Sequence, residues 1–129
     1  MDILAVILAA VGGFGFGALW YNVNGPKWMA AVGKTEEDIK ASKDPTPFVI
    51  GGVAALLTAV MMRHVFVSSG IDSIGLGLVG GLGIGVFIVA PWIVLNHAFA
   101  GRPRELWWID GGYAALACGI IGTVLGLFL

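Results

Sequence analysis

Few side chains in this sequence can do chemistry. Two histidines, His64 and His97, one cysteine, Cys118, and the carboxyl of Asp110 stand in or beside long apolar runs. A histidine and a carboxylate brought together can pass a proton, so His97 and Asp110 are the candidate acid and base. Nothing in the sequence supplies the nucleophile or metal set that an enzyme would add to them. Cys118 has no cysteine to pair with and lies in an apolar run, where a small packing residue is the plainer reading. Haem is the obvious cofactor for a helical bundle with histidines. The spans derived below put His64 and His97 near opposite faces, with most of a hydrocarbon core of about 30 Å between them, so one haem cannot use both within a chain. No His, Cys and carboxylate spacing fits a transition metal, and no cofactor is expected.

The candidate groups gather at borders between apolar runs and charged loops. The first border is Trp20-Tyr21-Asn22-Val23-Asn24-Gly25-Pro26-Lys27-Trp28. The second holds Asn96 and His97, and the third runs from Trp107 to Asp110. Alternating spans bring all three to one level. Trp20, Tyr21, Asn22, Asn24, Trp28, Asn96, His97, Trp107 and Asp110 thus form a candidate polar and aromatic cluster. An ionisable group at membrane depth usually has a partner, and Asp110 can pair with His97 or accept a hydrogen bond from Tyr21. The plainer reading is a seal and anchor, because aromatic rings are enriched at membrane interfaces.

The elements that position these groups follow from composition. Of 129 residues, 58% are hydrophobic and 12% charged, against roughly 45–50% and about 25% in soluble domains. A chain this short cannot hide that much apolar surface in a core of its own, so lipid is the expected solvent. A net charge of −1 gives no basic surface for nucleic acid. The runs are uniformly apolar rather than alternating, which selects helices over a barrel. The expectation is an all-α integral membrane protein, a single domain over 1–129 with four transmembrane helices at about 3–21, 48–67, 74–95 and 109–128. The first run lacks a charged leader and ends in bulky Trp20-Tyr21, so it reads as a retained span rather than a cleaved signal.

The loop after the first span is the most polar part of the chain. Asn24-Gly25-Pro26 signals a turn, and Pro26 suits the first position of a short helix from about Lys27 to Val32, lying on the membrane surface and ending at Gly33. Thr35-Glu36-Glu37-Asp38 has the pattern of a capping box opening a second short helix to about Ser42. Gly33-Lys34-Thr35 is no phosphate loop, since Trp28 stands where that motif needs glycine and no strand precedes it. Arg63, about a turn from the end of the second span, can snorkel to the headgroups. Asp72 or Ser73 suits the cap of the third span. Pro91 should kink that span near Phe87.

Gly77, Gly81 and Gly85 recur every four residues in the third span, and Gly13 with Gly17 and Gly122 with Gly126 give shorter versions. Such stripes let helix backbones approach closely, within a chain or between chains. Gly13-Phe14-Gly15-Phe16-Gly17 and Gly81-Leu82-Gly83-Ile84-Gly85 also form a faint internal echo. Lys27, Lys34, Lys40 and Lys43 follow the first span and Arg102 and Arg104 the third, whereas the other side has only Arg63 nearby. The charged loops are therefore expected in the cytoplasm and both termini outside, in the inner (plasma) membrane.

Gly17-Ala18-Leu19-Trp20-Tyr21, Lys27-Trp28-Met29, Gly33 and Thr35-Glu36-Glu37-Asp38 resemble the N-terminal signature of small bacterial membrane proteins known as the domain of unknown function 1761 family. Asn96-His97 and the run Leu106 to Tyr113 are similar to that family's C-terminal half. The spacer between Trp20-Tyr21 and Trp28-Met29 is shorter than the usual pattern. The resemblance covers nearly the whole chain and implies a four-helix integral membrane protein, but no activity. Three functional classes follow. A non-enzymatic homo-oligomer or accessory subunit of a larger membrane complex ranks first, on the glycine stripes and short loops. A small transporter or channel is the alternative, and a membrane enzyme using His97 and Asp110 ranks last.

Overall fold

The computed structural model of the chain describes residues 2–129, and every regular element in them is helical. The order is α1 (Ile3–Val23), α2 (Gly25–Val32), α3 (Glu36–Ala41), α4 (Thr46–Ser69), α5 (Ile74–Ile84), a π-helical turn (Gly85–Val89), α6 (Ala90–Phe99) and α7 (Arg104–Phe128). Four stretches are long and apolar enough to cross a membrane: Ile3–Val23, Thr46–Ser69, Ile74–Phe99 and Arg104–Phe128. The shortest has 21 residues, about 31 Å at 1.5 Å per residue, which matches a hydrocarbon core of about 30 Å.

Each span is longer than its most apolar part. The fourth helix starts at Arg104, where the hydropathy pattern alone put the span at about 109. The third runs on to Phe99 rather than 95, and the second spans Thr46–Ser69 rather than 48–67. Hydropathy marks the stretch that lipid tails must cover, whereas caps and prolines mark where the helix ends. Pro47 lies in the first turn of α4, where its missing N–H costs no helical bond. Pro103 is extended at the cap of α7. Ser73 Oγ accepts from the Leu76 N–H at the start of α5. At the other ends, Gly33 after α2 and Gly70 after α4 both sit at φ 74°, the left-handed conformation that glycine adopts without a Cβ clash.

The expected kink in the third span takes the form of a π-turn. Pro91 has no N–H, and its ring would collide with the carbonyl one turn back. The Ala90 N–H reaches back five residues to the Gly85 carbonyl, opening the turn just before the proline. One wide turn absorbs the clash without breaking the helix.

α7 is the hub. Half of its apolar window is buried, against 11% for the third span. α5 lies closest to it, and glycine makes that possible. A Cβ on Gly77 or Gly81 would run into the α7 backbone at Gly122 and Cys118, and one on Gly85 would press on Ala115. Reciprocally, a Cβ on Gly122 or Gly126 would strike the backbone at Gly77 or Ser73. These glycines therefore meet one another inside a single chain. α1 packs on another side of α7, with Gly13 against Ile121 and Gly17 under the Tyr113 ring. α4 leans on α1, and its C-terminal half reaches the core, where Met62 and Phe66 are buried with Val6, Ala9 and Leu125. The core thus fills the end of the bundle away from the long loop.

Candidate functional site

At the opposite end, α1 and α6 finish where α4 and α7 begin, the long loop joining α1 to α4 and a short turn joining α6 to α7. Asp110 stands in the second turn of α7 with both carboxylate oxygens engaged. The Tyr21 hydroxyl on α1 donates to Oδ1 at 2.6 Å. Nε2 of His97 on α6 lies 2.8 Å from Oδ2. Both side chains of this second pair are largely withdrawn from solvent, with 12% exposure for His97 and 21% for Asp110. One carboxylate therefore ties three helices together.

The local sequence explains the convergence. Trp20 and Tyr21 are adjacent near the end of α1, about 100° apart around its axis, and both reach α7. Trp20 Nε1 donates to the Ile109 carbonyl at 2.8 Å, and its ring covers Gly112, where a Cβ would crowd it. Neither residue is simply an interfacial anchor, because the polar atom of each is spent on the neighbouring helix. Trp28 from α2 meets the edge of Tyr21, with centroids 6.4 Å apart at 82°. Beneath them lies Tyr113, one turn on from Asp110. Its ring is 5.3 Å from Tyr21, and its hydroxyl donates to the Gly13 carbonyl at 3.1 Å. Tyr113 belongs to the cluster although the border pattern did not select it. Its spacing of three residues from Asp110 was the available signal.

The other candidates lie apart. Asn24 caps α1, its Nδ2 and backbone N–H both donating to the Trp20 carbonyl at 3.0 and 2.9 Å. Asn22 and Asn96 are exposed, and neither side chain reaches the cluster. The Trp107 indole N–H is buried without a partner, an uncommon state for such a donor. Arg104 stands 5.6 Å from the centre of the Trp107 ring, and Lys27 stands 5.4 Å from that of Trp108.

Among the described residues, no third His, Cys, Asp or Glu joins His97 and Asp110 in a metal-binding group. His64 lies near the far end of α4. Within the spans, the Thr58 and Thr123 hydroxyls each donate to a carbonyl of their own helix at 2.8 Å. An apolar groove of about 400 Å³, lined by Phe16, Leu82, Leu116 and Ile120, lies between α1, α5 and α7. It does not open on Asp110.

In the loop, Thr35 and Asp38 form a reciprocal capping box. The Thr35 N–H, then its hydroxyl, hold the Asp38 carboxyl below the usual aspartate range. The Thr46 hydroxyl and N–H do the same for Asp44. The Glu36–Lys40 ion pair at 3.1 Å is exposed and contributes little.

Comparison with curated proteins and with solved structures gives no match. The family model described as "Protein of unknown function (DUF1761)" matches residues 4–126, nearly the whole length, a range that includes Tyr21, His97 and Asp110. With four membrane-crossing helices and a match of that extent, the chain belongs to the DUF1761 family of proteins of unknown function.

Proposed function

We propose that this protein is a non-enzymatic subunit of a membrane assembly, either a homo-oligomer or a larger complex, in which Tyr21, Asp110 and His97 act as an interhelical clasp. The observation that carries this reading is the double engagement of Asp110. Both of its oxygens are held by groups of the same chain, at 2.6 and 2.8 Å. A carboxylate bonded to two other helices holds α1, α6 and α7 in register, and that role accounts for both of its contacts.

The surface left for partners is broad. Phe48, Val53 and Leu57 on α4 and Phe87, Trp92 and Phe99 on the third span all point outward. The glycine stripes are occupied by packing within the chain, so the outer faces of α4 and α6 are the assembly surfaces in this reading. α2, with Pro26 in its first turn and Trp28 and Met29 on it, rests in the interface on the loop side. The loops face the cytoplasm of a bacterial inner membrane, following the lysine and arginine distribution.

A small transporter or channel is the second reading. The π-turn before Pro91 favours it, because broken helices serve transport sites. The self-satisfied Thr58 at the centre of the second span weighs against it. The intact mass of the gently extracted protein tests the first reading. A multimer or a complex with other chains supports it, and a lone chain overturns it.

A further inference from the structure

We propose that Lys27 and Arg104 form a headgroup site for one anionic phospholipid of the leaflet on the loop side. The two cations come from different elements, α2 and the first turn of α7, and stand over the indoles of consecutive residues. Lys27 Nζ is 5.4 Å from the centre of the Trp108 ring, and Arg104 Cζ is 5.6 Å from that of Trp107. Both distances lie within the range at which a ring face attracts a cation. Stacking of this kind fixes direction without neutralising charge. Neither cation makes an ion pair with a carboxylate among the described residues, and both are exposed. Two positive charges therefore stand at this border, one over each of two consecutive indoles, with their hydrogen-bond donors free.

Depth selects the occupant. Trp107 and Trp108 mark the level at which α7 enters its apolar run, and indoles settle at headgroup level. Arg104 lies one turn outside Trp107, where lipid phosphates reside. Guanidinium binds phosphate with two parallel hydrogen bonds, and ammonium supplies a point charge beside it. Trp108 keeps 47% of its surface exposed, an apolar platform for the glycerol and first methylenes of the same lipid. A soluble anion would gain from the cations but not from this platform. The site is separate from Asp110, which bonds to Tyr21 and His97.

Native mass spectrometry of the detergent-purified protein tests the assignment. The probes are phosphatidylglycerol and phosphatidylcholine with identical acyl chains, with inorganic phosphate as competitor. Wild type is expected to retain one phosphatidylglycerol per chain in preference to phosphatidylcholine. K27Q and R104Q should each weaken that preference about fivefold, and the double variant should abolish it. K40Q removes a lysine on α3 and should change nothing. Equal retention of the two lipids by wild type, or an unchanged preference in the double variant, would overturn the proposal. So would displacement by inorganic phosphate at concentrations that leave phosphatidylcholine bound. If the double variant is not recovered folded, wild type in about 1 M salt decides, since screening there acts over about 3 Å. A preference that salt does not weaken refutes the site, and one that it erases supports it.

Discussion

At the scale of single residues, Asp110 controls the loop-side end of the bundle because two helices bond to one carboxylate. The consequence of removing it depends on what is left behind. Alanine strands the Tyr21 hydroxyl and the His97 ring together, and an unpaired buried polar group costs about 1–3 kcal/mol. Interhelical hydrogen bonds in membranes average about 0.6 kcal/mol, because the separated helices also find partners. Together these place Asp110→Ala at a loss of about 1–3 kcal/mol. Asparagine can accept from Tyr21 and donate to His97 Nε2 in its other tautomer, so Asp110→Asn should lose no more than about 1 kcal/mol. Thermal unfolding in detergent, read by circular dichroism, checks the order. Equal losses for the two variants would show that charge, not hydrogen bonding, holds the clasp. The pairing of Asp110 with Tyr21 and His97 was legible in the sequence as two options for one carboxylate. That it makes both at once was not, because hydropathy places residues at a depth but leaves their azimuth around the helix open. Asn22, Asn24 and Asn96 show the same gap. They lie at the right level but turn to solvent or to their own helix.

At the scale of elements, close packing of α5 on α7 rests on glycines that differ sharply in what surrounds them. Leucine at Gly81 would drive its Cβ into the Cys118 carbonyl, whereas Gly83 has nothing within 4 Å of a Cβ. Gly81→Leu should therefore lose stability at the upper end of the about 1–3 kcal/mol typical of overpacking. Gly83→Ala should be neutral or slightly stabilising. Matching melting temperatures for the two would refute the packing account. α3 is held differently, by its cap. Asp38 has its carboxyl lowered by the Thr35 N–H and hydroxyl, so the sign of its contribution is fixed. It is fully present above the ordinary aspartate range and is lost as the pH falls through the lowered value. The protection of α3 amides, taken relative to the intrinsic exchange rate at each pH, should fall as the medium is acidified below that range, while that of α7 is unaffected. If α3 protection is flat across the acid range, the cap is not what orders it. The four spans could be read from hydropathy, and their ends came from the caps. The π-turn was not legible in detail, since Pro91 dictates that the helix must yield nearby but not whether by bend, break or widened turn.

At the scale of the whole molecule, the chain is asymmetric along the membrane normal. One end is sealed by Met62, Phe66 and Leu125, and the other by the polar clasp. The charged loops flank the clasp, and their lysine and arginine bias is the ground for proposing that they face the cytoplasm. Cysteine at Lys34, in the exposed turn between α2 and α3, should react with a membrane-impermeant maleimide only after the cell is opened. Reaction in intact cells would invert the topology. The intact mass of the complex, extracted in a mild detergent and weighed by native mass spectrometry, bears most directly on the role proposed for the chain. A small integer multiple of the chain mass, or the chain together with other subunits, is the expected result. A single chain that stays alone when concentration and detergent are varied would contradict it.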